Sequence, residues 1–433
     1  MMFWKIVYNW FFVPSSWLVV RLYALVNRKA RSWLDGRADL FEQLRSQAAL
    51  LSPDSTRIWF HSSSLGEFEQ AKPIIATLKA KFPAVDIIVT FFSPSGYKHS
   101  QTYKLASIIS YIPFDTKANA ERFIDLIRPS AAVIVRYDLW PNHVWALQEG
   151  KIPMFIASAT LKKTTSRRLP MFAQFHRELY DCLNYILTVS EEDRSVFEAF
   201  GLTKPVLKVI GDTRYDQVKK RSEESRAKHV LPARIVEGKK ILVIGSSWAE
   251  DERYLLPACF SLLSSNPKML IILVPHEPNE ENLERVEYML SGRATHIRFS
   301  DLNDYANERC VIIDSVGILM ALYQYAHVAF VGGSFGNGIH NVLEPAAYGV
   351  PIVFGPRYEN SQEAARLLRD GGAFVGESSE MLLSRLKRLF ENETLRAECG
   401  KKALALVEKN TGATGRFLSY LEGALHMQDK KLQ

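Results

Sequence analysis

Cysteine is scarce in this chain of 433 residues: the four present, Cys182, Cys259, Cys310 and Cys399, lie far apart and form no CxxC or Cys/His cluster. That excludes a disulfide scaffold and a structural zinc site and suits a reducing compartment. There is no HExxH, no i, i+4 histidine pair and no DxD near a strand end, so the chemistry is expected to need neither metal nor cofactor. Short repeats and low-complexity tracts are missing as well. No basic stripe with interleaved aromatics and no RNP-type motif is present, so nucleic acid is not an expected partner.

What is present reads as globular: 47% of the residues are hydrophobic and 23% charged, and the length suggests two domains rather than one core. The net charge of +7 favours acidic partners such as anionic lipid or a phosphorylated substrate. Residues 1–34 stand apart in composition. They hold Trp4, Trp10, Trp17 and Trp33 with Tyr8 and Tyr23 among aliphatic side chains. The uncharged run from Ile6 to Val20 falls short of the roughly 20 apolar residues of a clean span. A marginal span, an anchor lying in the interface and a packed helix hairpin are all compatible with it. Arg21, Arg28, Lys29 and Arg31 follow, and by the positive-inside rule they place the bulk of the chain on the cytoplasmic side.

From Arg57 onward, short apolar runs alternate with helix-length segments: 58–60, 86–92, 107–114, 131–135, 154–157 and 185–189, then 241–244, 269–274, 311–313, 327–331, 351–354 and 373–375. Such βα alternation implies parallel sheets. The charged stretch between Asp212 and Lys240 separates the two sets. Expected domains are therefore an anchor at 1–34, a first α/β domain at 35–215 and a second at 216–433.

The most informative stretch is 331–360, VGGSFGNGIHNVLEPAAYGVPIVFGPRYEN. A buried strand runs into Gly332, Gly333 and Ser334, where backbone can approach a ligand closely. Asn341 is placed to cap a short helix whose first turn carries Glu344, and Gly349 with Pro351 ends it. A glycine loop entering a helix N-terminus suits phosphate, and Glu344 suits ribose hydroxyls.

This segment resembles the nucleotide-binding segment of the bacterial 3-deoxy-D-manno-octulosonic acid (Kdo) transferases of lipopolysaccharide inner-core synthesis. The likeness recurs at His61–Glu67, Asp138–Asn142 and Gly245–Glu252, in the family's order. It implies the GT-B architecture, two Rossmann-like domains facing a cleft. It implies also a CMP-Kdo donor, a lipid A precursor as acceptor, an inverting transfer, and a place at the anionic cytoplasmic surface of the inner membrane. Other GT-B enzymes acting on UDP-sugars, epimerases included, and a non-catalytic nucleotide-binding membrane module are the competing readings.

Residue by residue, Glu67 ends the IWFHSSSLGE strand segment, where a carboxylate either faces a ligand or serves the helix dipole. The family's catalytic base is the glutamate of this GE pair, and the helix N-terminus is expected to hold Glu67 ionised. In RYDLWPN the family more often has acids where this chain has Arg136 and Asp138. Asp138 keeps the second acid, while Arg136 inverts the charge of the first; an Arg136/Asp138 ion pair is the competing reading. The loop 158–168 carries Lys162, Lys163, Arg167 and Arg168, with Thr160 where the family often has arginine. In the second domain, Gly245, Ser246 and Ser247 resemble the family's GST-type motif at a helix start. His276 of PHEP stands where relatives carry arginine, and serves as a nucleotide contact or a capped surface loop.

Overall fold

β-Branched and aliphatic runs bounded by turn residues fold here as fully buried strands, and the helices between them carry one apolar face each. The computed structural model describes residues 2–432, the side chains of residue 29 and residues 426–432 excepted. The first unit comprises Met1–Gln217 with Thr411–Gln433, and the second Val218–Asn410.

The first unit is built on β1 (Arg57–Ser62), β2 (Asp86–Phe91), β3 (Ile108–Tyr111), β4 (Ala131–Val135), β5 (Met154–Ala159), β6 (Tyr185–Thr188) and β7 (Val206–Val209). They form one parallel sheet in the order β3-β2-β1-β4-β5-β6-β7. Alternate side chains enter two separate cores. Trp59, Ile88, Ala132 and Ile156 pack on one face with Leu40, Leu44 and Tyr8; Phe60, Val89, Val133 and Phe155 pack on the other with Phe68, Phe417 and Leu421.

In the second unit β8 (Lys240–Ser247), β9 (Met269–Pro275), β10 (His296–Arg298), β11 (Cys310–Ile312), β12 (Val328–Val331), β13 (Ile352–Phe354) and β14 (Ala373–Val375) follow. This sheet is also parallel, ordered β10-β11-β9-β8-β12-β13-β14. In each sheet the strand order reverses beside the unit's first strand, between β1 and β4 and between β8 and β12. Ligands bind at the C-terminal ends of such a reversal, where the loops on either side diverge. Two strands escaped the sequence pattern, β7 and β10. Both lie at sheet edges without full burial, so neither has a continuous apolar run.

The N-terminal residues form the helix Met2–Val7, a π turn at Tyr8–Phe12 and the helix Val13–Val26. Among the described residues no helix is long and apolar enough to cross a membrane, so the spanning form of the expected anchor has no helix to carry it. One face is fastened to the first unit: the Tyr8 hydroxyl donates to Asp115 at 2.8 Å, and Asn9 and Asn142 exchange side-chain hydrogen bonds at 3.0 Å. The other face leaves Trp10, Phe11, Leu22, Leu25 and Val26 exposed, Val26 by 84%.

At the far end, the expected second domain ran to residue 433, whereas the helix Ala413–Leu432 belongs to the first unit. Its Phe417, Leu418, Leu421 and Ala424 complete the core containing Phe68. Burial of each larger side chain is worth about 1.5–3 kcal/mol, which outweighs any preference set by sequence proximity.

Candidate active site

β1 is buried along its length and ends in three serines that start the helix Leu65–Lys81. Ser64 is the N-cap, its Oγ accepting from the Glu67 N–H at 3.4 Å. In return Glu67 Oε2 accepts the Ser63 N–H at 2.6 Å. This reciprocal arrangement uses helix-start donors that would otherwise lack partners. The Ser63 hydroxyl donates to Asp138 Oδ2, so one serine joins the two carboxylates expected at the site. Glu67 is 7% exposed.

Burial pushes the Glu67 carboxyl above its ordinary range; the Ser63 N–H opposes the shift, Asp138 adds to it and Arg136 opposes it. The helix-start N–H of Ser63 does favour the ionised form, as expected, but loss of water is the larger effect. Asp138 is also raised by burial, with Arg167 opposing. Two neighbouring carboxyls that resist ionisation make a stronger base of whichever one is ionised.

The LWPN residues hold this edge in place. Trp140 Nε1 donates to His61 Nε2 at 3.1 Å, so the His61 proton sits on Nδ1, facing Thr90 Oγ1 at 2.9 Å. Burial depresses His61 to about 3, which keeps it neutral and structural. Pro141 opens the next helix, and Asp115 accepts the N–H groups of Asn142 and His143 at 3.1 and 3.2 Å. No ion pair joins Arg136 to Asp138 among the described residues. Arg167 is held by the Tyr137 carbonyl and the Tyr180 hydroxyl at 3.0 and 3.1 Å, and Lys163 by Glu192 at 3.2 Å.

In the second unit the ends of β8 and β12 come together so closely that a Cβ on Gly332 would lie 2.2 Å from the Ser246 carbonyl oxygen, and one on Gly245 would lie 2.1 Å from the Tyr323 hydroxyl. Gly333 has φ +82° and Ser246 has φ +54°, a backbone state costly for the serine.

The glycine loop nevertheless differs from the expected phosphate cradle. Asp251 accepts the N–H groups of Gly333 at 2.7 Å, Phe335 at 3.0 Å and Trp248 at 3.0 Å, so a built-in carboxylate occupies the donors expected to meet the ligand. Burial raises the Asp251 carboxyl while those three N–H groups oppose the shift. Two further expected contacts turn inward. Ser334 is fully buried, donating to the Val331 carbonyl at 3.2 Å and accepting from the Gly355 N–H at 2.7 Å. Ser247 donates to Glu252 at 2.8 Å.

A cavity of about 230 Å³ lies beside this loop, lined among others by Arg221, Ser246, Tyr323, His340, Asn341 and Glu344. The short helix begins at Leu343 with Val342, not Asn341, at the N-cap. Asn341 instead accepts the Leu343 N–H at 3.1 Å and donates to Glu344 at 3.2 Å. His276 does not line the cavity; its ring stacks on Trp248 at 4.6 Å and on His340 at 4.3 Å. Trp248 Nε1 donates to His340 Nε2 at 2.7 Å, which leaves the His340 proton on Nδ1, and burial lowers His340 to about 4. Ser63, Arg221, Asp251 and His340 escaped the sequence reading. Ser63, Asp251 and His340 lie inside stretches the sequence had singled out, His61–Glu67, Gly245–Glu252 and 331–360, whereas Arg221 had no signal.

Two Rossmann-like units, each with polar groups collected at its strand reversal, define the GT-B class. UDP-GlcNAc 2-epimerase from Neisseria meningitidis has this fold, with a TM-score of 0.60 at 14% identity over 85% of this chain and 100% of that one. Residues 37–217 match the family model described as 3-deoxy-D-manno-octulosonic-acid transferase (kdotransferase). The 3-deoxy-D-manno-octulosonic acid transferase of Haemophilus influenzae is 25% identical over 430 residues, 97% of this chain and 98% of that protein. That of Bordetella pertussis is 25% identical over 410 residues, 91% and 94%. The chain is thus similar to the Kdo transferases over nearly its whole length and is a glycosyltransferase.

Proposed function

We propose that the protein transfers Kdo from CMP-Kdo to a hydroxyl of a lipid A precursor, inverting the anomeric centre, at the cytoplasmic face of the inner membrane. The observation that carries this reading is Glu67 held beside Asp138 at the strand reversal, in a chain alignable with Kdo transferases over nearly its whole length. Glu67 takes the proton of the acceptor hydroxyl as its oxygen bonds to the anomeric carbon, and the bond from that carbon to the CMP phosphate oxygen breaks. Asp138 supports Glu67 through Ser63 and by raising its basicity.

The second unit holds the nucleotide. Its glycine loop is already satisfied by Asp251, so the phosphate falls to Arg221, to the half-buried positive-φ strand end at Ser246 and to the His340 Nδ1–H, all at one cavity. Asn341 and Glu344 offer ribose partners there. The cavity is below the roughly 300–1,000 Å³ usual for small-molecule sites, so it takes the ribose phosphate and leaves the base outside. The exposed apolar face of residues 10–26, fastened to the LWPN segment through Asn9, suits shallow insertion into a bilayer interface beside the cations that follow it.

Incubation with CMP-Kdo and a lipid A precursor, followed by mass analysis of the lipid, tests the reading. Addition of Kdo is expected. Stabilisation against heat by UDP but not CMP, with no Kdo added, would move the protein to the UDP-sugar enzymes.

A further inference from the structure

Arg136 stands immediately after β4, and the pairing of His61 with Ile134 sets it next to the end of β1. Its backbone is in the left-handed region at φ +69°, a conformation that costs a non-glycine residue energy and persists where the surroundings enforce it. Its guanidinium makes no hydrogen bond or ion pair among the described residues, and its Nε is buried with no partner. An unpaired buried nitrogen of this kind is unusual, since a buried donor left without a partner costs about 1–3 kcal/mol. The nearby cations of the 158–168 loop contrast with this, because Lys163 and Arg167 are already bound to protein groups.

We propose that Arg136 is an oxyanion-binding residue that grips a carboxylate or phosphate of a substrate next to Glu67. The inference rests on the proposed function and adds a substrate contact to it. A guanidinium presents parallel N–H donors that match either oxyanion bidentately. Either group is available in the proposed reaction: the sugar acid carries a carboxylate, and the acceptor glycolipid carries phosphate. The cation also lies within electrostatic reach of Glu67, so the same residue that binds the anion eases ionisation of the base.

Arg136→Asn is the informative change, because asparagine tolerates the left-handed backbone, with Arg136→Lys as the charge-retaining control. Steady-state kinetics are measured with CMP-Kdo, with a phosphorylated acceptor and with its dephosphorylated analogue, and folding is checked by thermal melting. If the anion is the acceptor phosphate, Arg136→Asn raises the acceptor KM about 10- to 100-fold and the penalty disappears with the dephosphorylated acceptor. If it is the sugar carboxylate, the donor KM rises by that factor while the Kd for CMP stays unchanged. In both cases Lys restores part of the loss. A folded Arg136→Asn protein with both KM values within about 2-fold of wild type overturns the inference while leaving the proposed function intact. Absence of Kdo transfer by the wild-type protein overturns both.

Discussion

Glu67 and Asp138 are tied to each other by one residue, Ser63, whose backbone N–H goes to the first and whose hydroxyl goes to the second. The carboxylate proposed as the base is thereby aimed by the strand that precedes it and coupled to the strand next door.

Glu67→Gln keeps the shape and removes the base. Turnover should fall by about 10²–10⁴-fold, the usual worth of general-base participation, while CMP binds as before, because the groups proposed to hold the nucleotide lie in the second unit. Single-turnover kinetics with isothermal titration of CMP checks both halves. Near-normal turnover would shift the role to Asp138.

The acid limb of the pH profile should lie above the ordinary glutamate value of 4.5, because burial raises Glu67. A raised carboxyl is ionised, and so competent as a base, only above its shifted value. Activity is therefore lost on acidification earlier than for an exposed glutamate. Asp138→Asn removes a neighbour that raises Glu67 and should move that limb to lower pH. A limb unmoved in Asp138→Asn would show that the pair is not coupled.

Within the second unit, Glu344→Gln should weaken CMP binding by about 10-fold, the loss of one charge-assisted hydrogen bond. Trp248→Phe frees His340 Nε2 and with it the tautomer, and a smaller loss is expected. Titration of CMP against each variant measures this. Unchanged affinity in Glu344→Gln would remove the ribose role from that residue.

Asp251→Ala should lower the melting temperature before it touches affinity. It strips three backbone N–H groups of their acceptor, at about 1–3 kcal/mol for each left buried and unpaired. Tighter CMP binding by a still-folded Asp251→Ala protein would mean that the loop competes for phosphate after all.

Removal of residues 1–34 should both release the protein from vesicles and destabilise the first unit, since Tyr8 and Asn9 are bonded to Asp115 and Asn142. Leu22→Glu with Val26→Glu separates the effects, because both side chains are exposed. That double change should reduce vesicle sedimentation and leave melting unaltered. Unchanged sedimentation would assign membrane contact to another surface.

Much of this was readable in advance where burial is total. The runs that became β4, β9 and β12 are apolar throughout because both faces of a parallel sheet are covered. Glu67 and Asp138 lie just past the ends of strands, but it was the resemblance to the Kdo transferases that singled them out. The edge strands β7 and β10 lack that signature, and which backbone donors the glycine loop leaves open depends on Asp251, eighty residues upstream in sequence and adjacent only after folding. Serine gave the weakest guidance. At Ser63 it links carboxylates, at Ser334 it staples β12 to β13, and nothing in the local sequence tells the two uses apart.

The return of the C-terminal helix to the first unit has a consequence for synthesis. Asp216, where the chain leaves, accepts the backbone N–H groups of Gly412 at 2.5 Å and of Thr414 at 2.7 Å, where it comes back. The second unit is thus a guest spliced into its host at a single point. At about 5–20 residues per second, the ribosome needs roughly 10–40 s to make residues 218–410. Until then the host waits with the groove for Phe417, Leu418 and Leu421 open, a transient apolar face of the kind that chaperones bind.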